Sequence, residues 1–181
     1  QMYRKDRLFY LKKLINTAKR ENFQIGIKIV RGAYMEKENY KAQKIGYPSP
    51  ICNSKEETDQ NFNAGLYLIL SNLNRCELFL GSHSEDSALR VINWMREKKL
   101  SANHSRIWFS QLYGMADHIS FNLASAGYQV IKYVPYGPIK EVIPYLIRRA
   151  EENTSIKGQT PRELSLIRKE LKRRKNLRFT E

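Results

Sequence analysis

The chain has 181 residues, 41% of them hydrophobic and 28% charged, a balance that excludes a disordered tail and allows one domain with a real core. No apolar run approaches the ~20 residues that cross a bilayer, which argues against a transmembrane protein. The net charge is +14, of which residues 1–20 carry +6 and residues 159–181 carry +5, so the interior is nearly balanced. A nucleic-acid binder concentrates its basic residues on the reading surface with aromatics interleaved. Here the charge lies at the ends and the unusual residues lie inside, so no nucleic-acid partner is expected. The basic ends read as solvated helices that an anionic membrane surface could attract. Cys52 and Cys76 match no zinc spacing or redox pair, and two cysteines support no disulfide framework. A reducing compartment fits them best. Gln1-Met2-Tyr3-Arg4-Lys5 runs into a helix without an apolar signal core, so any targeting segment is expected upstream.

In chain order, Leu8, Leu11, Ile15 and Ala18 keep the rhythm of an amphipathic helix with Lys and Arg on its other face. Ile25 to Val30 alternates with period two and ends near Gly32, which predicts a strand followed by a long turn. Ser54 and Glu57 form a capping-box pattern that starts a helix with Phe62, Leu66, Ile69 and Leu73 on one face. A second strand follows at Glu77 to Gly81. Ser84, with Glu85 and Asp86 behind it, predicts a helix start, and Leu89, Ile92 and Met95 continue that helix to about Lys98. Arg106 to Leu112 is the third strand. A helix from Asp117 stops at Gly127, and Gln129 to Val134 is the fourth strand. Pro138 and Pro144 suit helix beginnings, which predicts a short turn at 138–143, a main helix from Pro144 to Asn153 and a last basic helix from Pro161 to Lys175.

Strands alternating with helices imply a parallel α/β sheet of right-handed units. No Gly-x-Gly-x-x-Gly occurs, so a dinucleotide-binding Rossmann fold has no support. The polar clusters fall at the C-terminal ends of the strands, where a (β/α)8 TIM-type barrel builds its active site. Such a barrel takes ~250 residues, so four units are expected to be its second half.

The segments Lys28-Ile-Val-Arg-Gly-Ala-Tyr34, Phe109-Ser-Gln-Leu-Tyr-Gly-Met115, Lys132-Tyr-Val-Pro-Tyr-Gly137 and Tyr145-Leu-Ile-Arg-Arg-Ala-Glu-Glu-Asn-Thr-Ser155, in this order, resemble the proline dehydrogenase family, its eukaryotic mitochondrial branch in particular. The resemblance covers about residues 7 to 170, and the Tyr-Leu-x-Arg-Arg block followed by Glu-Asn is its most specific part. It implies residues 1–158 as the C-terminal half of the catalytic barrel and 159–181 as a basic helix or tail. It implies FAD-dependent oxidation of L-proline to 1-pyrroline-5-carboxylate, with hydride passing from proline C5 to flavin N5 and electrons onward to a quinone. The matching proteins work in the mitochondrial matrix or at the matrix face of the inner membrane, where peripheral association would suit the basic ends.

Arg148 and Arg149 are adjacent on a predicted helix, about 100° apart around its axis. A guanidinium fork suits a carboxylate, and the resemblance makes this pair the holders of the proline carboxylate, with Arg149 also near the flavin. The competing reading is a surface helix with both arginines paired to Glu152. Lys28 falls on the strand face opposite Ile27 and Ile29 and needs a partner there. The resemblance makes it a flavin contact; a lysine snorkelling from a strand end is the alternative. Tyr133, Tyr145 and Leu112 are implied to line the proline ring, with Tyr34 on the floor of the pocket and Ala33 beside it. The related hydroxyproline dehydrogenases carry a small Ser at the position of Tyr133, so Tyr133 favours proline.

His83 stands before a predicted helix N-terminus, a place suited to an anion. The matching family segment is Thr-His-Asn against the FAD; Gly81, Ser82 and His83 carry over, and Ser84 departs from the Asn. Val30 and Gly32 are flavin-side positions in the same comparison. Lys55 and Thr58 match residues at the phosphate and adenosine portion of FAD, although a capped helix start also explains them. Glu152 and Ser155 match flavin-side positions or a solvated helix face. No side chain is implied as an acid or base catalyst, and no His, Asp and Glu set has metal spacing. Hydroxyproline dehydrogenase, and a non-catalytic basic RNA-binding or scaffold fragment, are the alternative functions.

Overall fold

The computed structural model describes residues 1–155 and 159–177, with side chains over 1–150 and 164–175. Its elements run α1 (Arg7–Arg20), β1 (Ile25–Ile29), α2 (Met35–Ile45), α3 (Lys55–Leu70), β2 (Cys76–Gly81), α4 (Glu85–Glu97), β3 (Ile107–Leu112), α5 (Asp117–Ser125), β4 (Val130–Tyr133), α6 (Ile139–Ser155) and α7 (Gln159–Leu177). The four strands form one parallel sheet in the order β1-β2-β3-β4, with Ile27 opposite Leu78, Leu80 opposite Phe109 and Leu112 opposite Tyr133. The spatial order follows the chain without reversal. Right-handed crossovers then lay the helices on one face only, which makes an arc of a barrel and not a doubly wound sheet.

The two faces of the sheet follow from alternation. Ile29, Leu78, Leu80, Ile107 and Phe109 turn toward the helices and are buried with Phe62, Ile69, Val91 and Met95. The other face is concave and open, and carries Gly26, Lys28, Glu77, Phe79, Trp108 and Ile131. Residues 2 and 3 run beside the end of β1, where Met2 N–H donates to the Val30 carbonyl and Tyr3 N–H to that of Arg31, each at 2.8 Å. The two bonds pair the start of the chain with the backbone just past β1.

Both expected helix caps form. Ser54 Oγ accepts from Glu57 N–H at 3.1 Å, and the Glu57 carboxylate reaches back to Asn53 N–H at 2.6 Å. Ser84 Oγ accepts from Ser87 N–H at 3.4 Å. Three expectations need correction. The long turn after β1 contains α2, which buries only Ala42 and ends at Gly46 with φ 82°; a helix with so little apolar face gives no periodic signal. Leu89 is exposed, and Ala88, Val91, Ile92 and Met95 form the buried face of α4. Pro144 starts no helix but lies inside a continuous α6. It removes one backbone donor, the one that would meet the carbonyl of the exposed Lys140, which water can satisfy.

Candidate active site at the strand ends

Four rings and two cations meet toward the C-terminal end of the sheet. Lys28, on the open face of β1, holds its ammonium 5.3 Å from the Phe79 ring centroid and 5.5 Å from that of Tyr133. The partners expected for this charge are therefore aromatic faces, whose quadrupoles attract a cation. Tyr133 meets Tyr145 edge to face, with centroids 6.2 Å apart and planes at 74°. The Arg149 guanidinium lies 5.2 Å from the Tyr145 centroid and 5.5 Å from that of Tyr34. Burial pushes the Tyr145 hydroxyl above its ordinary pKa against the opposing charge of Arg149, so it stays protonated at neutral pH. One turn of loop (Tyr34), one strand end (Tyr133) and one helix (Tyr145, Arg149) thus converge, with the guanidinium against two of the rings. That suits a compact ring bearing a carboxylate.

The sheet sets the rest. Leu112 pairs in register with Tyr133, and its N–H donates to His83 Nε2 at 3.1 Å. His83 therefore spends one ring nitrogen on the β3 backbone, and when neutral carries its proton on Nδ1. Gly81 is needed for closeness: a Cβ there would lie 2.7 Å from Val30 Cγ1 and 3.3 Å from Lys28 Cε. At Gly32, φ is 117° and a Cβ would fall on the Tyr3 ring, so both conformation and space demand glycine. Ala33 follows in the same loop before α2.

Several expected residues stand apart from the rings. Arg148 is exposed on α6, whereas its neighbour Arg149 is partly buried among them. Lys55 is exposed at the start of α3 and pairs with Asp59 at 2.6 Å. Thr58 is buried, and its hydroxyl donates to the Ser54 carbonyl at 3.1 Å. The side chains of Glu152 and Ser155 lie outside the described residues.

The sequence reading assigned no role to Arg31. Its guanidinium pairs with Asp59, donates to Ser82 Oγ at 3.3 Å and Ser87 Oγ at 3.1 Å, and covers the Phe62 ring at 4.3 Å. It thereby ties the loop after β1 to α3 and to the start of α4, and links Lys55, Asp59 and Ser82 into one polar chain. The motif around Lys28 contained Arg31, but its partner 28 residues on gave no local signal. His118 likewise pairs with Glu85 at 3.0 Å and ties α5 to α4.

The family model for proline dehydrogenase matches residues 1–162. The chain belongs to the proline dehydrogenase family. It is 41% identical over 179 residues to the mitochondrial proline dehydrogenase 1 of Caenorhabditis elegans, covering 96% of this chain and 29% of the worm protein. It is 40% identical over 178 residues to the hydroxyproline dehydrogenase of Xenopus laevis, covering 96% and 38%. Among solved structures it is similar to proline utilization A from Bdellovibrio bacteriovorus, at TM-score 0.80 and 27% identity over 87% of this chain and 16% of that one. The four βα units are thus an arc of the (β/α)8 barrel that proline dehydrogenase domains share. The chain spans about a third of the length of these two curated relatives.

Proposed function

We propose that the protein carrying this chain oxidises L-proline to 1-pyrroline-5-carboxylate with FAD as its cofactor, and that residues 1–158 contribute part of its catalytic barrel. The observation that carries the reading is the Arg149 guanidinium set between the Tyr34 and Tyr145 rings, with Tyr133 edge-on to Tyr145. In this reading a small cyclic amino acid, with an apolar ring and a carboxylate, lies against those rings and that cation. The donor set also fits a flavin. Lys28 is a cation on the open face, Gly81 leaves bare backbone beside it, and Ser82 and His83 add a hydroxyl and an imidazole. In this reading Lys28, Val30, Gly32, Gly81, Ser82 and His83 hold the flavin, with Lys55 and Thr58 toward its phosphate and adenosine end and Glu152 and Ser155 completing that side. When bound, FAD supplies the N5 that accepts hydride from proline C5 and passes electrons to a quinone.

The chain's own residues do the positioning. Arg149, joined by Arg148, binds the substrate carboxylate and fixes which face of the ring is presented. Tyr133, Tyr145 and Leu112 pack the ring and exclude water, while Tyr34 and Ala33 close the floor. No acid or base is required of these side chains. Hydride loss from a carbon next to an amine rewards orientation and a dry, cation-lined pocket.

Hydroxyproline is the second substrate considered, because a hydroxyproline dehydrogenase is as similar to this chain as the proline enzymes are. In this reading the Tyr133 ring fills the space that an added ring hydroxyl would need, which favours proline. A mitochondrial site agrees with the names of the mitochondrial relatives, and within it we infer peripheral contact at the matrix face of the inner membrane. Helix α7 supports it: Leu164, Ile167 and Leu171 are exposed among Arg168, Lys169, Lys172, Arg173, Arg174 and Lys175. Anaerobic addition of proline to the full-length protein reconstituted with FAD tests the reading. Bleaching of the visible flavin band by proline, and far less by hydroxyproline, is expected; no bleaching by either, with flavin bound, overturns it.

A further inference from the structure

Lys132 lies on the helix-covered face of β4, opposite Gln111 in register, with a fifth of its side chain exposed. Its ammonium donates to the Leu112 carbonyl at 3.3 Å and the Met115 carbonyl at 2.7 Å, and pairs with Asp117 Oδ1 at 2.6 Å. A lysine ammonium has three N–H donors, and all are directed into one short turn. That turn, after β3, takes two left-handed residues, Gly114 at φ 76° and Ala116 at φ 51°. The second carries a Cβ and is an uncommon choice for that conformation. A lysine needing only charge compensation would be content with Asp117; coordination of two carbonyls on either side of the turn is what singles out Lys132.

The consequence reaches the open face of the sheet. The peptide groups of Leu112 are held from both sides, N–H by His83 and C=O by Lys132, while Tyr133, next to Lys132 in the chain, stands opposite Leu112. Buried Gln111 adds to the same frame, donating to the Ser82 carbonyl at 3.2 Å and accepting from Ser120 Oγ at 2.8 Å. We propose that Lys132 is a positioning residue, which fixes the turn after β3 so that Leu112 and Tyr133 keep the spacing that selects a five-membered ring. This rests on the function proposed above. The contacts of the Lys132 ammonium go to the Leu112 and Met115 carbonyls and to Asp117, so in this reading it acts through Leu112 and not on the substrate itself.

The test uses the full-length protein with FAD bound, compares Lys132→Met and Lys132→Arg, and measures steady-state rates on proline and on its six-membered homologue, pipecolate. Lys132→Met is expected to raise KM for proline by about tenfold, with a smaller change in kcat, and to reduce the preference for proline over pipecolate by a similar factor. Lys132→Arg, whose fork can still reach the carbonyls and Asp117, is expected to restore most of that preference. A folded, flavin-loaded Lys132→Met with unchanged KM and unchanged preference overturns the inference. So does a loss of rate on both substrates in equal proportion, which marks a merely structural lysine. If Lys132→Met does not accumulate as folded protein, Lys132→Gln, which keeps an amide donor, is read by the same ratio against the same limits. Wild-type protein that binds flavin and ignores proline would instead sink the function itself, and the inference with it.

Discussion

Arg31 and Asp59, 28 residues apart, close an ion pair that holds the loop after β1 against the first turns of α3. Roughly a quarter of each side chain is exposed, so the pair is partly desolvated, and the two serine hydroxyls and the Phe62 ring finish the arginine's surroundings. Removing the acid leaves a half-buried guanidinium with neutral partners only. Asp59→Asn is expected to destabilise the fold by about 1–3 kcal/mol in urea titration of the full-length protein. The pH dependence has a definite sign. Partial burial raises the Asp59 pKa, but hydrogen bonds from Lys55 and Arg31 outweigh it and hold the carboxyl below its ordinary value. A depressed pKa gives stability that is fully present above the unfolded value of about 3.9 and is lost as pH falls through the folded one. The gap between wild type and Asp59→Asn is therefore expected to be constant from about pH 5 to 8 and to close below about pH 4. A gap that persists at the acid end would assign the effect to shape and not to charge.

Gly32 and Tyr3 make a second, steric pair. The tyrosine ring occupies the position of the missing Cβ, and the backbone is left-handed as well. Gly32→Ala is expected to cost about 1–3 kcal/mol from backbone strain and to displace the ring. Tyr3→Ala should relieve the clash without relieving the strain. A double-mutant cycle by chemical denaturation is expected to show clear non-additivity; simple addition would mean that the ring moves aside freely.

The order of strands and the N-caps at Ser54 and Ser84 were legible in the sequence because alternation and capping are local. So was the gathering of Lys28, Leu112, Tyr133 and Arg149, since a barrel brings all its strand ends to one rim. Helix α2 was not legible: Tyr40 and Ile45 are exposed and only Ala42 is buried, so its helicity shows in charged ends and in Gly46, not in a stripe. Arg31 with Asp59, and Lys132 with the turn after β3, escaped for another reason. A partly buried charge looks like any surface charge until the fold brings its partner from elsewhere in the chain. The adjacent arginines show the same limit. The sequence assigned them jointly, and the helix places them in different surroundings.

That difference is testable. Arg149 is partly buried against Tyr34 and Tyr145, whereas Arg148 is exposed. Replacing Arg149 by Lys keeps the charge but loses the planar fork and its stacking. Arg149→Lys is expected to lower kcat/KM for proline by about tenfold to a hundredfold, and Arg148→Lys by clearly less. Equal losses would mean that the substrate draws both arginines in together.

Tyr133 separates the role of its ring from that of its hydroxyl. The ring lies under the Lys28 ammonium and edge-on to Tyr145, and both contacts belong to the π system. Tyr133→Phe keeps them, so kcat/KM for proline is expected to stay within a few-fold of wild type. Tyr133→Ser removes the wall and frees the Lys28 ammonium from one of its two aromatic faces. Proline turnover should fall by about tenfold or more, while the ratio of proline to hydroxyproline turnover falls with it because the cavity gains room on that side. Steady-state rates on both amino acids measure the ratio directly. A serine variant that loses both activities in parallel would place Tyr133 in support of Lys28 and take substrate choice away from it.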